Sequence, residues 1–428
     1  MNQNKQLITF FYTLLILLSI PTSSYSQTKA PKSKKINIGL SIPSTQKTYF
    51  NIGFLSNVHQ VKGMSINVIT SNTRTTTNGL QIAGIANTTV SKMNGVQVSG
   101  IANVNAFNAN GIMLSGLTNI TRNTFNGIQL GGLGNITGKS SRGLAIGGLL
   151  NIVGKESNGV RFSGLTNLTG DNLNGVDVSG FMNVAGDTVK GIQLTGILNV
   201  SGGKTTGMQI AGLGNVSVET SGLQIAALSN LSIQEMRGIQ VSAVNLAGKL
   251  RGVQLGIVNA TKGEQQGVQI GVVNYSKDTT THKIGLVNLN PKTKIQMLAF
   301  GGNTSKINVG VRFKNRHTYT ILGIGTHYLD FDDKFSGSVT YRAGLYHALS
   351  PKWEISGDLG YAHIETFSNK SIEIPKRMFS LQGRINVNYQ IQKRLGLFTS
   401  AGYAWTRSYN RDYVYERKPI IELGVILF

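Results

Sequence analysis

One period governs this chain. Gly63, Gly79, Gly95, Gly111, Gly127, Gly143, Gly159, Gly175, Gly191 and Gly207 stand 16 residues apart, and Asn87, Asn103, Asn119, Asn135, Asn151, Asn167, Asn183, Asn199 and Asn215 keep the same spacing. Further copies end at Asn230, Asn245, Asn259, Asn274 and Asn288, spaced 14–15, and Asn57 and Asn72 mark weaker copies upstream. About 16 copies therefore lie between residues 49 and 290. A fixed short period means stacked equivalent units, each touching only its neighbours.

With the Gly as position zero, the unit reads Gly, apolar, Gln, apolar, small, Gly, apolar, variable, Asn, apolar, then polar turn residues, as in Asn94-Gly-Val-Gln-Val-Ser-Gly-Ile-Ala-Asn103. Alternation over positions 1 to 3 is a strand signal, and the Gly and Asn density excludes helix. Apolar positions 1, 3, 6 and 9 are expected to fill a narrow core. Position 2, which takes Gln but also Arg161 and Asp177, is expected to face water. The Gly at position 5 allows a corner, and the Asn column predicts a hydrogen-bonded ladder along the stack.

Two β architectures fit, a solenoid with one copy per coil or a meander in which each copy is a strand of one large barrel. Near-constant coil length, loss of one residue at the small-Gly step in copies such as 252–259, and few aromatics favour the solenoid. At ~4.8 Å per coil it would form a rod about 75 Å long.

After Asn290-Pro291 aromatics multiply and alternation lengthens. Eight strands are expected, at 295–301, 306–313, 317–326, 335–348, 352–364, 377–390, 394–407 and 418–428. Short connections (314–317, 349–352, 392–394) alternate with longer ones (328–334, 365–376, 408–417), as in a transmembrane β-barrel. Phe379, Leu381, Ile385, Val387 and Tyr389 share one face, and Ser380, Gln382, Arg384, Asn386 and Asn388 the other. Arg342, Arg384, Glu354, Asp358 and Glu422 fall on the polar face, where they could pair across a small lumen. An open β-sandwich with one wet face is the alternative.

The fold class is thus all-β: a repetitive solenoid of about 16 coils followed by an antiparallel eight-stranded barrel. Residues 1–26 read as a signal peptide, with Lys5 before an apolar run and small residues near Ser26. Residues 27–48 form a basic segment, 49–290 the solenoid and 291–428 the barrel. Segment 36–44 is a candidate further barrel strand, which would reverse the side on which the solenoid lies.

Net charge is +23, from 41 Lys+Arg and 18 Asp+Glu, but the excess is spread thinly: six basic and no acidic residues in 1–48, 18 against 8 in 49–294, 17 against 10 in 295–428. This forms no basic helix or arm, so no nucleic-acid partner is expected. Outer-membrane lipid or lipopolysaccharide fits better, with a glycan or protein partner along the repeat face.

Catalytic chemistry is hard to find. Cysteine is absent, which excludes thiol nucleophiles and Cys-ligated metals. Gly134-Asn-Ile-Thr-Gly138-Lys139-Ser140 is one residue short of a phosphate loop. Asp171, Asp177 and Asp187 in neighbouring copies, and Asp330, Asp332 and Asp333 in a loop, are more simply solvated acids than a glycan-cleaving or calcium site. The six histidines (59, 282, 317, 327, 347, 363) show no ligand spacing. Tyr403, Trp405, Tyr409, Tyr413 and Tyr415 suggest an aromatic girdle before carbohydrate stacking. No catalytic, cofactor-binding or metal residues are assigned, and no cofactor is expected.

Tandem Gly-Val-Gln-Ile-Gly-Val-Val-Asn units (267–274) behind a signal peptide resemble the surface-repeat proteins of Gram-negative bacteria, whose repeats are usually tied to the outer membrane. The C-terminal strands ending in Phe428 resemble outer-membrane barrels recognised through a terminal aromatic, although Phe428 keeps register with Glu422 and not with the apolar set Ile421, Leu423, Val425 and Leu427. The resemblance implies an exported, non-enzymatic outer-membrane protein in which the barrel anchors and the repeats supply a structural or adhesive surface. One large porin-like barrel, or a glycan-active solenoid, would be the rival functions.

Overall fold

A computed structural model describes residues 36–38, 45–280, 282–330, 334–369, 374–410 and 414–427. The expected signal peptide lies outside the described residues. The chain divides between Ile233 and Gln234 into two compact units. Both are all-β.

The first unit is a regular repetition of strands in parallel register. Each regular coil has a long strand and a short one, as in Thr76–Ala83 and Ala86–Thr89. Thr76–Ala83 pairs in parallel with Lys92–Ser99, placing Gly79 beside Gly95 and Gln81 beside Gln97, and Ala86–Thr89 pairs with Ala102–Asn105, placing Asn87 beside Asn103. This is a parallel β-solenoid, and the single large barrel is overturned. Ile36–Ile38 pairs in parallel with Phe50–Ile52, so this segment extends the solenoid and is not a barrel strand.

The long strand bends at the position-zero glycine. Gly143, for example, has φ +113°, and a Cβ there would meet the Gly127 carbonyl oxygen at 2.1 Å. Every side chain except hydrogen is therefore doubly penalised, by backbone conformation and by the coil beneath.

The interior is the reverse of the sequence expectation. Gln81, Gln97, Gln129, Gln193, Gln209 and Gln224, all at position 2, are buried, whereas the apolar residues at positions 1, 3, 6 and 9 face outward. Period-2 alternation separates two faces correctly but does not say which is inside. Asn87 to Asn230 form a continuous buried ladder with amide-to-amide distances of 2.8–3.1 Å. Each Nδ2 also donates to a main-chain carbonyl of the next coil, as Asn87 does to Val98 at 2.8 Å. Gln97 donates to Gln81 and Gln209 to Gln193, both at 2.9 Å, and Gln224 donates to Gln209 at 2.8 Å. Apolar filling is local, as where Met93, Ala109, Met113 and Phe125 cluster.

Arg161 and Asp177 explain themselves in this light. They are register partners in successive coils, 2% and 0% exposed, with Arg161 Nε 2.8 Å from Asp177 Oδ1. Arg161 also donates to the Leu168 carbonyl at 3.0 Å. The pair replaces two rungs of the glutamine ladder by a charge-assisted one.

The second unit contains the last coils and the barrel. Its coils repeat the same rules: Asn245, Asn259, Asn274 and Asn288 form a ladder at 2.9 Å, and Gln254 and Gln269 continue the glutamine column at 2.8 and 2.9 Å. Eight barrel strands follow: Lys294–Gly302, Ile307–Lys314, Thr318–Thr326, Lys334–Ala348, Trp353–Asn369, Arg377–Gln392, Leu395–Ser408 and Val414–Leu427. Neighbours pair antiparallel, and the first pairs with the eighth, Met297 opposite Leu427, closing the barrel. Closure leaves no sheet edge and overturns the open sandwich.

The buried ion pair gives a test. Asp177→Leu leaves Arg161 buried and uncompensated and is expected to cost about 3–5 kcal/mol. The double variant Arg161→Gln/Asp177→Gln rebuilds the amide rung and should recover to within ~1 kcal/mol of the natural chain. Chemical unfolding of the full chain followed by far-ultraviolet circular dichroism measures both.

Candidate functional site: the barrel lumen and the solenoid faces

The barrel wall alternates as its sequence demands. Leu345, Leu359, Ile385, Ile421 and Leu423 point outward and are exposed, with Leu359 at 76%. Arg342, Asp358, Arg384, Asn386 and Glu422 point inward and are buried. Aromatics ring the outside. Trp353 and Tyr389 lie 4.7 Å apart near the short-turn end. Phe379 stands 6.4 Å from Trp405 and 5.2 Å from Tyr409 toward the long-loop end.

The expected cross-lumen pairing is present. Arg342 holds Asp358 through two nitrogens at 2.9 and 2.7 Å, and Arg384 holds Glu422 through two at 3.1 and 2.9 Å. Arg342 also reaches Glu422 at 3.5 Å, which joins the two pairs into one network. Asp358 further accepts from Tyr319 Oη at 2.7 Å and Asn386 Nδ2 at 2.8 Å. Two buried carboxylates thus face two buried guanidiniums, with neutral donors filling the remaining lone pairs. Nearby, Glu354 accepts from Lys314 and from Asn388, the latter at 2.9 Å, and Arg312 donates to Gln296 at 2.7 Å. An apolar layer of Leu298, Phe300, Tyr319, Ile321, Phe398 and Ile426 packs beside this network. An eight-stranded barrel has an interior that side chains can fill, and here they do.

The last coil of the second unit meets the outside of this barrel. Thr320 Oγ1 donates to the Leu286 carbonyl at 2.9 Å, Tyr341 Oη to the Gly285 carbonyl at 3.1 Å, and Asn315 Nδ2 to the Asn288 carbonyl at 3.0 Å. Those carbonyls end a parallel stack and have no further coil to accept from. The barrel wall caps an open edge that would otherwise invite another strand.

The other singled-out residues do not converge. Asp177 is committed to Arg161, while Asp171 and Asp187 are exposed in turns, joined only through their main chains at 2.9 Å. Gly134–Thr137 is an ordinary short strand of the solenoid, not a phosphate loop. His59, His282, His317 and His347 are exposed, His327 lies 3.7 Å from Glu416, and His363 Nδ1 is 3.1 Å from Tyr409 Oη. Asp330 is exposed, and Asp332, Asp333, Tyr413 and the side chain of Tyr415 lie outside the described residues. Among the described residues no three His, Asp or Glu side chains gather as a metal site.

Sequence reasoning also passed over Lys283. It takes the place that Gln269 holds one coil earlier. Burial pushes its ammonium down to about 8, with Asp278 acting in the opposite sense. A lowered folded-state value means the penalty is fully present below about pH 8 and fades as pH rises toward the unfolded value of 10.5. Lys283→Gln should therefore stabilise the chain at pH 7 by ~1–2 kcal/mol, the group being partly solvated, and by much less at pH 10. Unfolding curves at the two pH values check this.

No family model matches the chain, and no curated protein matches it. Among solved structures it is similar to Neisserial surface protein A (NspA), with 13% identity and a TM-score of 0.18 over 31% of this chain and 92% of that one.

Proposed function

We propose that this is a non-enzymatic outer-membrane protein of a Gram-negative cell envelope, with the barrel as a sealed anchor and the repeats as a structural or adhesive surface. The observation that carries the reading is the barrel's polarity: aliphatic outside, ion-paired and filled inside. In water such an exterior would be a liability, and in lipid it is a requirement. Aromatics toward both ends fit the two interfaces of a bilayer. Paired guanidiniums and carboxylates fill the lumen, which supports an anchor over a porin.

The last coil lies at the end of the barrel that carries the short turns 315–317, 349–352 and 393–394. Short turns face the periplasm in barrels of this kind, so we place that coil on the periplasmic side. Partner binding falls to the solenoid's polar face. The expected Gln row is buried, but a second Asn row is accessible, where Asn94 donates to Asn78 at 2.7 Å and Asn110 to Asn94 at 3.0 Å. Its unsatisfied faces suit a glycan or the polar edge of a protein.

The full chain should partition with outer membranes, run faster on gels before heating than after, and give no steady single-channel conductance in planar bilayers. Recovery in the soluble fraction would overturn the membrane reading. A stable open conductance would overturn the sealed anchor.

A further inference from the structure

The first unit carries a surface that anchoring does not use. Over the eleven coils that start at Gly63 through Gly222, positions 1 to 9 hold no charged side chain except the buried pair Arg161 and Asp177. All other charges of these coils stand at positions 11 to 15, nine Lys or Arg against five Asp or Glu. The outward residues at positions 1 and 3 are Val, Ile, Leu, Met or Phe, and those at positions 7 and 9 are mostly aliphatic or small, with Thr70, Asn72, Thr88, Thr118 and Thr166 among them. Between these two faces runs a ridge at position 6, where Ile101, Leu117, Leu133, Leu149, Leu165 and Phe181 are 41–50% exposed.

The two faces together cover roughly 1,000 Å², taking ~4.8 Å per coil and ~3.3 Å per strand residue. The largest apolar patch on a soluble monomer is usually about 300–600 Å². Something covers this one. We infer that the occupant is a lipid bilayer: the solenoid lies as a wedge in one leaflet, its two aliphatic faces and ridge among the acyl chains and its charged corner among the headgroups.

Three observations favour lipid over a second copy of the chain. First, the faces diverge from the ridge, so a flat partner could cover one of them only, whereas acyl chains cover both. Second, the interior suits an apolar surrounding. Main-chain groups are paired coil to coil and the asparagine column is laddered throughout, and paired main-chain groups are the condition lipid imposes on any backbone. Third, the basic excess stands only on the far side from the ridge, as in surface-lying amphipathic elements that meet anionic headgroups. Within the second unit the same ridge position is held by Leu286, whose carbonyl accepts from Thr320 on the barrel's outer wall, the surface that we read as lipid-facing.

This inference rests on the membrane reading of the barrel, and one experiment separates them. The natural chain has no cysteine, so single substitutions label cleanly. Full chain carrying Leu117→Cys, Leu149→Cys or Leu165→Cys on the ridge, Lys155→Cys or Lys190→Cys on the charged corner, or Leu359→Cys or Leu423→Cys on the barrel is labelled with a polarity-sensitive fluorophore. Each is reconstituted in phosphatidylethanolamine/phosphatidylglycerol vesicles containing acyl-chain nitroxide lipid. Ridge and barrel labels are expected to be blue-shifted and quenched severalfold more than corner labels. Barrel labels quenched with ridge labels behaving like corner labels would overturn the wedge and leave the anchor standing. Failure of the barrel labels to be quenched would remove the membrane reading itself. Unquenched ridge labels, together with ready disulfide-linked dimers of unlabelled Leu149→Cys, would assign the ridge to a second copy and equally overturn the wedge.

Discussion

The structure depends on one constraint: a buried primary amide needs a partner, and along the asparagine column that partner is the same amide one coil away. An amide in a dry interior without a hydrogen bond costs ~1–3 kcal/mol, and a satisfied one returns ~1 kcal/mol. Repeating that choice at every coil makes the period itself a stability requirement. A residue gained or lost outside the corners would break the asparagine ladder from Asn87 to Asn230 wherever it fell. The later coils show what is tolerated. They shorten by one residue at the small-Gly step, and Asn245, Asn259 and Asn274 still meet at 2.9 Å. The corner absorbs the deletion because neither ladder passes through it.

A polar interior forces the rest of the coil. With Gln, Asn, Thr and Ser turned inward, the alternate positions must turn outward, and in this chain they are aliphatic. The glycines follow from the same closeness. Coils that approach near enough for amide-to-amide bonding leave no room for a Cβ at the bend, where the carbonyl of the previous glycine already stands 2.1 Å from where one would sit at Gly143. The barrel obeys the same inversion at larger diameter. Arg342, Asp358, Arg384 and Glu422 do inside it what the amide ladders do inside the solenoid, and Leu359 and Leu423 stand outside it as Leu149 and Leu165 do.

Much of this was legible from residues alone. The period gave the solenoid and the asparagine ladder, and alternation gave eight barrel strands whose ends fall within a few residues of the observed ones. It also gave the lumen set, because strand pairs facing lipid or water on one side and a closed lumen on the other sort apolar from charged without ambiguity. What failed was the inside and outside of the solenoid. Period-2 patterning is symmetric under exchange of faces, and the usual assumption that apolar means buried broke the tie wrongly. The correct signal was present. Arg161 and Asp177 are opposite charges exactly one period apart in the one column otherwise held by amides, a coincidence that exposed positions have no reason to produce. Lys283 was missed for the same reason, since a lysine on a supposed water-facing row attracts no notice.

Because both units turn polar groups inward, a strongly apolar exterior does not conflict with the chain's modest hydrophobic content. Only 40% of residues are hydrophobic, a share ordinary for a protein that buries its apolar side chains in its own core. Here that share is placed outside, so the same composition presents far more apolar surface than a soluble domain would. The consequence falls on assembly. A solenoid of this kind has little hydrophobic collapse to guide it in water, and its coils must form by pairing on a preceding coil. The end of the stack is the exposed template in that process, and the barrel wall closes it with Thr320, Tyr341 and Asn315. The order of the chain, repeats first and barrel last, therefore puts the capping surface where growth of the stack has to stop.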